Sequence, residues 1–208
     1  MSQVEQRKPL HAINNLMSLI KDNCIDKSLL VSKLTDVKVD FNGDERIFLL
    51  ESGRITINRR SDDKVLINID SPFIIGLTTL FTPLNYYYLR TETDCHISTF
   101  SKNEVITLIE STSSWKSVAE ILSYAFFMYY QRDEMLTPND AYGVVKKHIE
   151  YFWENENIKS TSIFSFILNR TNISRSSVNK ILRELEVGGY IKTKRGILIE
   201  MSKLPNAF

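Results

Sequence analysis

The spacing of apolar residues changes several times along the chain, and each change marks a new element. Leu10, Ile13, Leu16, Met17 and Ile20 recur at the three-to-four step of a helix, and a second short helix is predicted over Lys27 to Leu34. From Val37 the step falls to two. Val37/Val39/Phe41, Ile47 to Leu50, Ile55/Ile57 and Val65/Ile67/Ile69 are short β-rich runs, separated by Asn42-Gly43-Asp44, Ser52-Gly53 and Ser61-Asp62-Asp63. Pro72, Gly76 and Pro83 punctuate the next segment, and Tyr86 to Phe100 continues the pattern. Short strands at such regular spacing predict a β-sandwich or barrel rather than a parallel sheet.

At Lys102 the helical step returns, and a long helix is predicted from Trp115 to about Leu136. Trp115, Val118, Leu122, Ala125 and Tyr129 advance by alternating threes and fours, which is a coiled-coil seam running on to Leu136 with Arg132 as its polar break. Ile121, Tyr124 and Met128 form a second apolar side. A helix that is apolar on two sides needs two covers: its own barrel on one side and a partner's identical helix on the other. A single helix sunk in one core is the plainer alternative. Thr137-Pro138 ends this helix, because the residue before proline is driven out of the helical region. Asn139 or Thr137 is expected to cap the next one, Ala141 to about Asn155, with Tyr142, Val145, His148/Ile149 and Phe152 on its buried face.

The stretch from Thr161 to Tyr190 has the order of a helix-turn-helix. A short apolar helix, Ile163 to Leu168, leads through Asn169 to Ile173 into a second helix that Ser174 can cap and Gly188-Gly189 can stop. On that second helix Val178, Ile181, Leu182 and Leu185 must pack inward, leaving Ser176, Asn179, Lys180 and Arg183 outside, with Arg175 on the flank of the first turn. Arginine suits the two acceptors on a guanine edge, whereas serine and lysine suit phosphates. A solvated face of a small helical domain would look the same, so the next residues decide. Tyr190 to Met201 reads as a β-hairpin, Ile197 and Ile199 inward, with Lys194-Arg195-Gly196 as its basic turn. That hairpin turns a helix-turn-helix into a winged helix.

Charge sharpens this reading. The whole chain of 208 residues carries only +1, but residues 1 to 136 hold 15 basic against 18 acidic side chains, and residues 137 to 208 hold 11 against 7. Residues 159 to 208 alone hold 9 against 3, as expected of a segment that meets a polyanion. With 43% hydrophobic and 25% charged residues the chain can bury a core, and apolar runs such as Ala125 to Tyr130 are far too short to span a bilayer. A cytoplasmic location is expected, since the two cysteines, Cys24 and Cys95, make neither a disulfide framework nor a CxxC pair. Phosphate-loop, nucleophile-elbow and zinc motifs do not occur, so an enzyme, a metal site and a bound cofactor are not expected. Cys95 and His96 are strand neighbours that point to opposite faces. Cys24 could serve as an oxidant sensor only beside a cation, and His148 reads as a surface or satisfied interfacial residue.

The order of parts resembles the cyclic-AMP receptor and fumarate-nitrate regulator (Crp/Fnr) family of bacterial transcription factors, over nearly the whole chain. Glu51-Ser52-Gly53-Arg54-Ile55-Thr56-Ile57 is similar to the family's strand-Gly-strand, and Ile74-Ile75-Gly76-Leu77-Thr78-Thr79-Leu80-Phe81 to its ligand-pocket stretch. Ile173-Ser174-Arg175-Ser176-Ser177-Val178 falls on the start of its recognition helix. Together with Gly188-Gly189-Tyr190-Ile191 and Leu204-Pro205, it resembles more narrowly the enterobacterial branch named for inhibition of hydrogen peroxide resistance.

The resemblance implies an α+β chain with a β-roll at 1–114, a dimerisation helix at 115–136 and a winged helix-turn-helix at 137–208. It implies a homodimeric transcription regulator on a two-fold operator in double-stranded DNA, with RNA polymerase as a further partner and a link to oxidative stress. Ser174, Arg175, Ser176, Asn179, Lys180, Arg183, Lys194 and Arg195 would contact DNA, and Trp115, Val118, Leu122, Ala125 and Tyr129 would form the dimer seam. Departures matter too. Leu77 stands where cyclic-nucleotide binders place a ribose-binding glutamate, and Asn85-Tyr86 stand where they place an Arg-Ser pair for the phosphate. No charge then opposes the phosphate, so neither cyclic AMP nor cyclic GMP is the expected ligand. Two cysteines cannot supply the four thiolates of the iron-sulfur branch within one chain. Ser176 replaces the family's usual glutamate, and Asn172, which tolerates a left-handed backbone, replaces a turn glycine. The alternative is a protein-interaction module with a degenerate β-roll and no specific DNA binding.

Overall fold

The computed structural model describes residues 7–25, 27–37, 40–41, 44–81, 86–155 and 161–206. Val39, Asn42, Gly43, Pro83 and Asn85, which figure in the sequence reading, lie outside the described residues. The chain forms two compact units, Met1–Tyr130 and Gln131–Phe208.

In the first unit, α1 (Leu10–Asn23) buries Ala12, Ile13, Leu16, Met17 and Ile20, the predicted stripe. The strands follow as β1 (Lys27–Val31), β2 (Asp36–Val37), β3 (Asp40–Phe41), β4 (Asp44–Ser52), β5 (Arg54–Arg59), β6 (Val65–Asp70), β7 (Phe73–Ile75), β8 (Tyr87–Thr91) and β9 (Cys95–Ser101). They make two antiparallel sheets, β1-β9-β4-β3 with β7 also on β4, and β2-β8-β5-β6, so the expected β-roll is present. Helices α2 (Lys102–Ser111) and α3 (Trp115–Leu136) complete this part of the chain.

Lys27 to Val31 is a strand, not the predicted helix. It pairs with β9 in continuous register from Lys27 opposite Thr99 to Val31 opposite Cys95. Ladder bonds along an otherwise open edge outweigh the weak helical preference of so short a run. Alternation governs the second sheet. Ile55 and Ile57 of β5, Ile67 and Ile69 of β6 and Leu89 of β8 are buried together. The alternate positions carry polar pairs: Arg54 with Asp70 at 2.7 Å and Arg90 with Asp36 at 2.7 Å. Two glycines are required by shape. A side chain at Gly53 (φ +91°) would strike the Asp94 carbonyl, and one at Gly76 (φ +104°) would come within 2.9 Å of Ile47 Cδ1.

In the second unit, α4 (Ala141–Glu154), α5 (Ile163–Leu168) and α6 (Arg175–Val187) precede the wing strands β10 (Ile191–Lys194) and β11 (Ile197–Met201). Val145, Ile149, Phe152, Ile167, Val178 and Leu185 are almost wholly buried in its core. Asp140 caps α4, its carboxylate accepting from the Gly143 N–H at 2.6 Å, in place of the expected Asn139 or Thr137. A carboxylate there also meets the positive end of the helix dipole. Asn155 lies just past the end of α4 as its C-cap. In the wing the inward residue is Leu198, not Ile199, which is 40% exposed. A register shift between Lys192 and Thr193 moves the alternation by one, which the sequence pattern does not reveal. Asn172 is absent from the residues with positive φ, so the turn does not use its left-handed tolerance. The tail is fastened to α4, with Tyr142 Oη and Lys146 Nζ donating to the Pro205 carbonyl at 2.7 and 2.9 Å.

Candidate nucleic-acid interface

The second helix of the helix-turn-helix is built as its sequence demands. Ser174 Oγ accepts from the Ser177 N–H at 3.1 Å, which fixes the first turn of α6, and Gly189 at φ +72° follows its end. Val178, Ile181, Leu182 and Leu185 are buried, and Ser174, Arg175, Ser176, Asn179, Lys180 and Arg183 are exposed. The structure therefore brings the predicted contact residues of α6 to the surface of one helix. Lys194 and Arg195 are exposed at the wing turn, where Arg195 (φ +54°) and Gly196 (φ +81°) both adopt the left-handed backbone.

Pairing sorts the cations. Lys180 lies 3.9 Å from Glu184, and Lys192 lies 2.8 Å from Glu200. Arg175, Arg183, Lys194 and Arg195 have no carboxylate within 4.0 Å among the described residues. The wing is tied to the helices: Thr193 Oγ1 donates to Glu186 at the end of α6 at 2.6 Å, and the Gly196 carbonyl accepts from the Ile163 N–H at 2.9 Å. One contact escapes sequence reasoning. The Arg175 guanidinium carbon lies 5.5 Å from the ring centre of Phe164 on α5, eleven residues away, and no local pattern links the two.

Beneath this surface His148 is buried at 1% exposure, so it is not a surface residue. Its Nδ1 donates to the Val144 carbonyl at 2.8 Å. Burial above all, then the charges of Arg170 and Arg132, push its pKa down to about 4, against the opposing effect of that hydrogen bond.

In the β-roll, the place expected for a ligand is lined by Ile57, Ile67, Ile69, Ile75, Leu77 and Tyr87, with Ile121, Leu122 and Met128 of α3. It encloses about 30 Å³. Roughly 300 Å³ is the lower end for small-molecule sites, so a nucleotide does not fit it as it stands. Arg90 points elsewhere, with Asp36 at 2.7 Å, Asp63 at 3.7 Å and the Tyr88 ring 5.1 Å away. These carboxylates hold its pKa above the usual value, the Asp36 hydrogen bond most of all.

The five residues expected on the α3 seam do not share one exposure. Val118 and Ala125, at 2% and 8% exposure, are packed into their own unit, because the side of the helix that meets the barrel runs through Ile121 as well. The uncovered side carries Ala119, Ser123, Phe126 and Tyr130, with Trp115 exposed and Leu122 and Tyr129 half-buried at its border. Burial raises the thiol pKa of both cysteines, with Glu104 adding to the effect at Cys24, the opposite of the shift that an activated thiol shows. Cys95 is buried and its Sγ donates to the Arg54 carbonyl, whereas His96 bonds Ser28 Oγ at 2.6 Å, on the opposite face as strand alternation requires.

Residues 141–206 match the protein-family model for winged helix-turn-helix DNA binding. Over 173 residues the chain is 28% identical to the inhibitor of hydrogen peroxide resistance of Escherichia coli K12, covering 81% of this chain and 82% of that protein. Among solved structures it is similar to the c-di-GMP-responsive global regulator CLP of Xanthomonas campestris, with TM-score 0.74 and 16% identity over 91% of this chain and 100% of that one. A Crp/Fnr-family transcriptional regulator of Thermus thermophilus matches with TM-score 0.62 and 18% identity over 84% of this chain and 94% of that one. The fold is thus that of Crp/Fnr regulators, with a winged helix-turn-helix DNA-binding domain at residues 141–206.

Proposed function

We propose that this Crp/Fnr-like chain is a cytoplasmic transcription regulator that binds a two-fold operator as a homodimer, without cyclic nucleotide. The observation that carries the reading is the single outward face of α6, where Arg175, Ser176, Asn179, Lys180 and Arg183 are exposed beside the basic wing turn Lys194-Arg195. A helix of this kind enters a major groove with its N-terminal side chains at base edges. Arg175 would read a base, and Ser174, Ser176, Asn179, Lys180, Arg183 and the wing would hold phosphates or flanking edges.

A dimer is supported by the uncovered apolar side of α3, where Phe126 is 75% and Tyr130 52% exposed, bordered by Trp115, Leu122 and Tyr129. Helix 115–136 would then pair with its copy, and the two winged helices would face successive grooves. RNA polymerase is the further partner that such a regulator would meet. The peroxide-resistance relatives support a role in restraining peroxide resistance, testable as survival of cells with and without the chain. Selection from a random duplex library, followed by sequencing, tests the central reading. A two-fold sequence with half-sites about one helical turn apart is expected. Enrichment of no sequence would contradict it. Phe126→Glu would place like charges at the two-fold and is expected to give monomers in sedimentation. An unchanged dimer would move the interface elsewhere.

A further inference from the structure

Arg175 is the first residue of α6, exposed and without a carboxylate partner among the described residues. A free arginine side chain carries about 2 kcal/mol of rotamer entropy, which must be surrendered when it docks on a base. Something that restricts the side chain beforehand would raise both affinity and selectivity. A carboxylate would do so only by occupying the guanidinium fork. An aromatic face holds the cation through its π-electrons and leaves all five N–H donors free.

Phe164 supplies such a face. Its ring centre is 5.5 Å from the Arg175 guanidinium carbon, within the range of a cation–π contact. The ring is itself anchored, half-buried against the C-terminal core between Ile163 and Phe166, which are 1% and 2% exposed. Arg183, two turns further along α6, has neither a ring nor a carboxylate beside it among the described residues. Two arginines on one helix therefore differ: one is steered and one is free.

We propose that Phe164 is a specificity-determining positioning residue, whose ring orients the Arg175 guanidinium for base reading while Arg183 serves as a mobile phosphate contact. This rests on the reading of α6 as the recognition helix. The test uses the full chain with two probes, a duplex selected by the wild-type protein from a random library and a duplex of scrambled sequence. Phe164→Leu keeps the apolar anchor and removes the aromatic face. It is expected to weaken the selected duplex by about two- to fivefold, relax preference at the base that Arg175 reads, and leave the scrambled duplex unchanged. Phe164→Tyr, which keeps the face, should bind as the wild type does. In an Arg175→Ala background, Phe164→Leu should have no further effect.

Equal weakening of both duplexes, or a Phe164→Leu effect that persists without Arg175, would overturn the proposal. Arg175→Ala with no effect on either duplex would instead remove the recognition-helix reading beneath it. An independent readout comes from the free protein by NMR. The Arg175 δ-methylene resonances should be displaced by the ring current and return to ordinary values in Phe164→Leu; ordinary values in the wild type would contradict the stacking.

Discussion

Three arginines of the β-roll and three of the winged helix are held in opposite ways. In the β-roll, Arg54, Arg59 and Arg90 each meet an aspartate at 2.7 Å, through Asp70, Asp62 and Asp36. In the winged helix, Arg175, Arg183 and Arg195 have no such partner among the described residues, although Glu184 and Glu186 lie on the same helix as two of them. A paired surface arginine has its charge answered within the fold and contributes little beyond local geometry. An unpaired cluster repels itself, and its charge is answered only when an external polyanion arrives. Charge balance within each unit thus separates cations that shape the fold from cations directed outward, a distinction that total charge conceals.

The largest effect is expected from removing the unpaired set. Arg175, Arg183, Lys194 and Arg195 changed together to alanine should lower affinity for every duplex by about a thousandfold, with thermal stability nearly unchanged. Fluorescence anisotropy and a melting curve measure the two, and a large loss of stability would show that these cations also serve the fold.

Beneath the same surface, His148 allows a test through pH. Its pKa in the fold, about 4, lies below the value of about 6.5 expected when the chain unfolds. Between those values the unfolded chain binds the extra proton, so stability is full above pH 6.5 and falls as pH drops towards 4. The loss should be on the order of 3 kcal/mol in urea titrations, and His148→Leu should lack that component. Equal losses in both proteins would mean that His148 takes up its proton without unfolding.

Arg175→Ala should weaken binding to a selected duplex by about 1–3 kcal/mol and relax one base position, with little effect on scrambled DNA. Equal losses on both would make it a phosphate anchor. Ser174→Ala removes the cap from α6 and should cost about 1 kcal/mol of stability, read from denaturant midpoints. At the small end, Arg90→Ala should change stability by no more than about 1 kcal/mol and leave duplex binding untouched. Calorimetry of the same variant and of the wild type with millimolar cyclic AMP should show no saturable heat. Binding that disappears in Arg90→Ala would overturn the assignment of Arg90 to Asp36.

Local pattern is enough for α1, α4, α5 and α6 and for the outward face of α6. The three-to-four step places Val178, Ile181, Leu182 and Leu185 inside, and that alone puts Arg175 and Arg183 outside. The features that escape it are set by neighbours distant in sequence. Lys27–Val31 is a strand because β9 offers an unpaired edge. The apolar seam of α3 can be counted, but with two apolar sides the period does not tell which one the barrel takes, and Val118 and Ala125 go inward. A one-residue shift in the wing turns Leu198 inward in place of Ile199. In the sequence Arg90 is only the arginine nearest to the pocket stretch; its partners Asp36 and Asp63 come from other segments of the fold. The Phe164 ring beside Arg175 depends on how α5 and α6 pack, which spacing does not encode.

Salt dependence of duplex binding tests the central claim most directly. Each phosphate neutralised by an unpaired cation releases counterions, so log K should fall linearly with log salt by about 0.9 per phosphate contact. For the wild-type chain a steep fall is expected, and the Lys194→Ala/Arg195→Ala variant should give a measurably shallower one. A flat dependence in the wild type, or a slope unchanged by removal of the wing cations, would contradict the account.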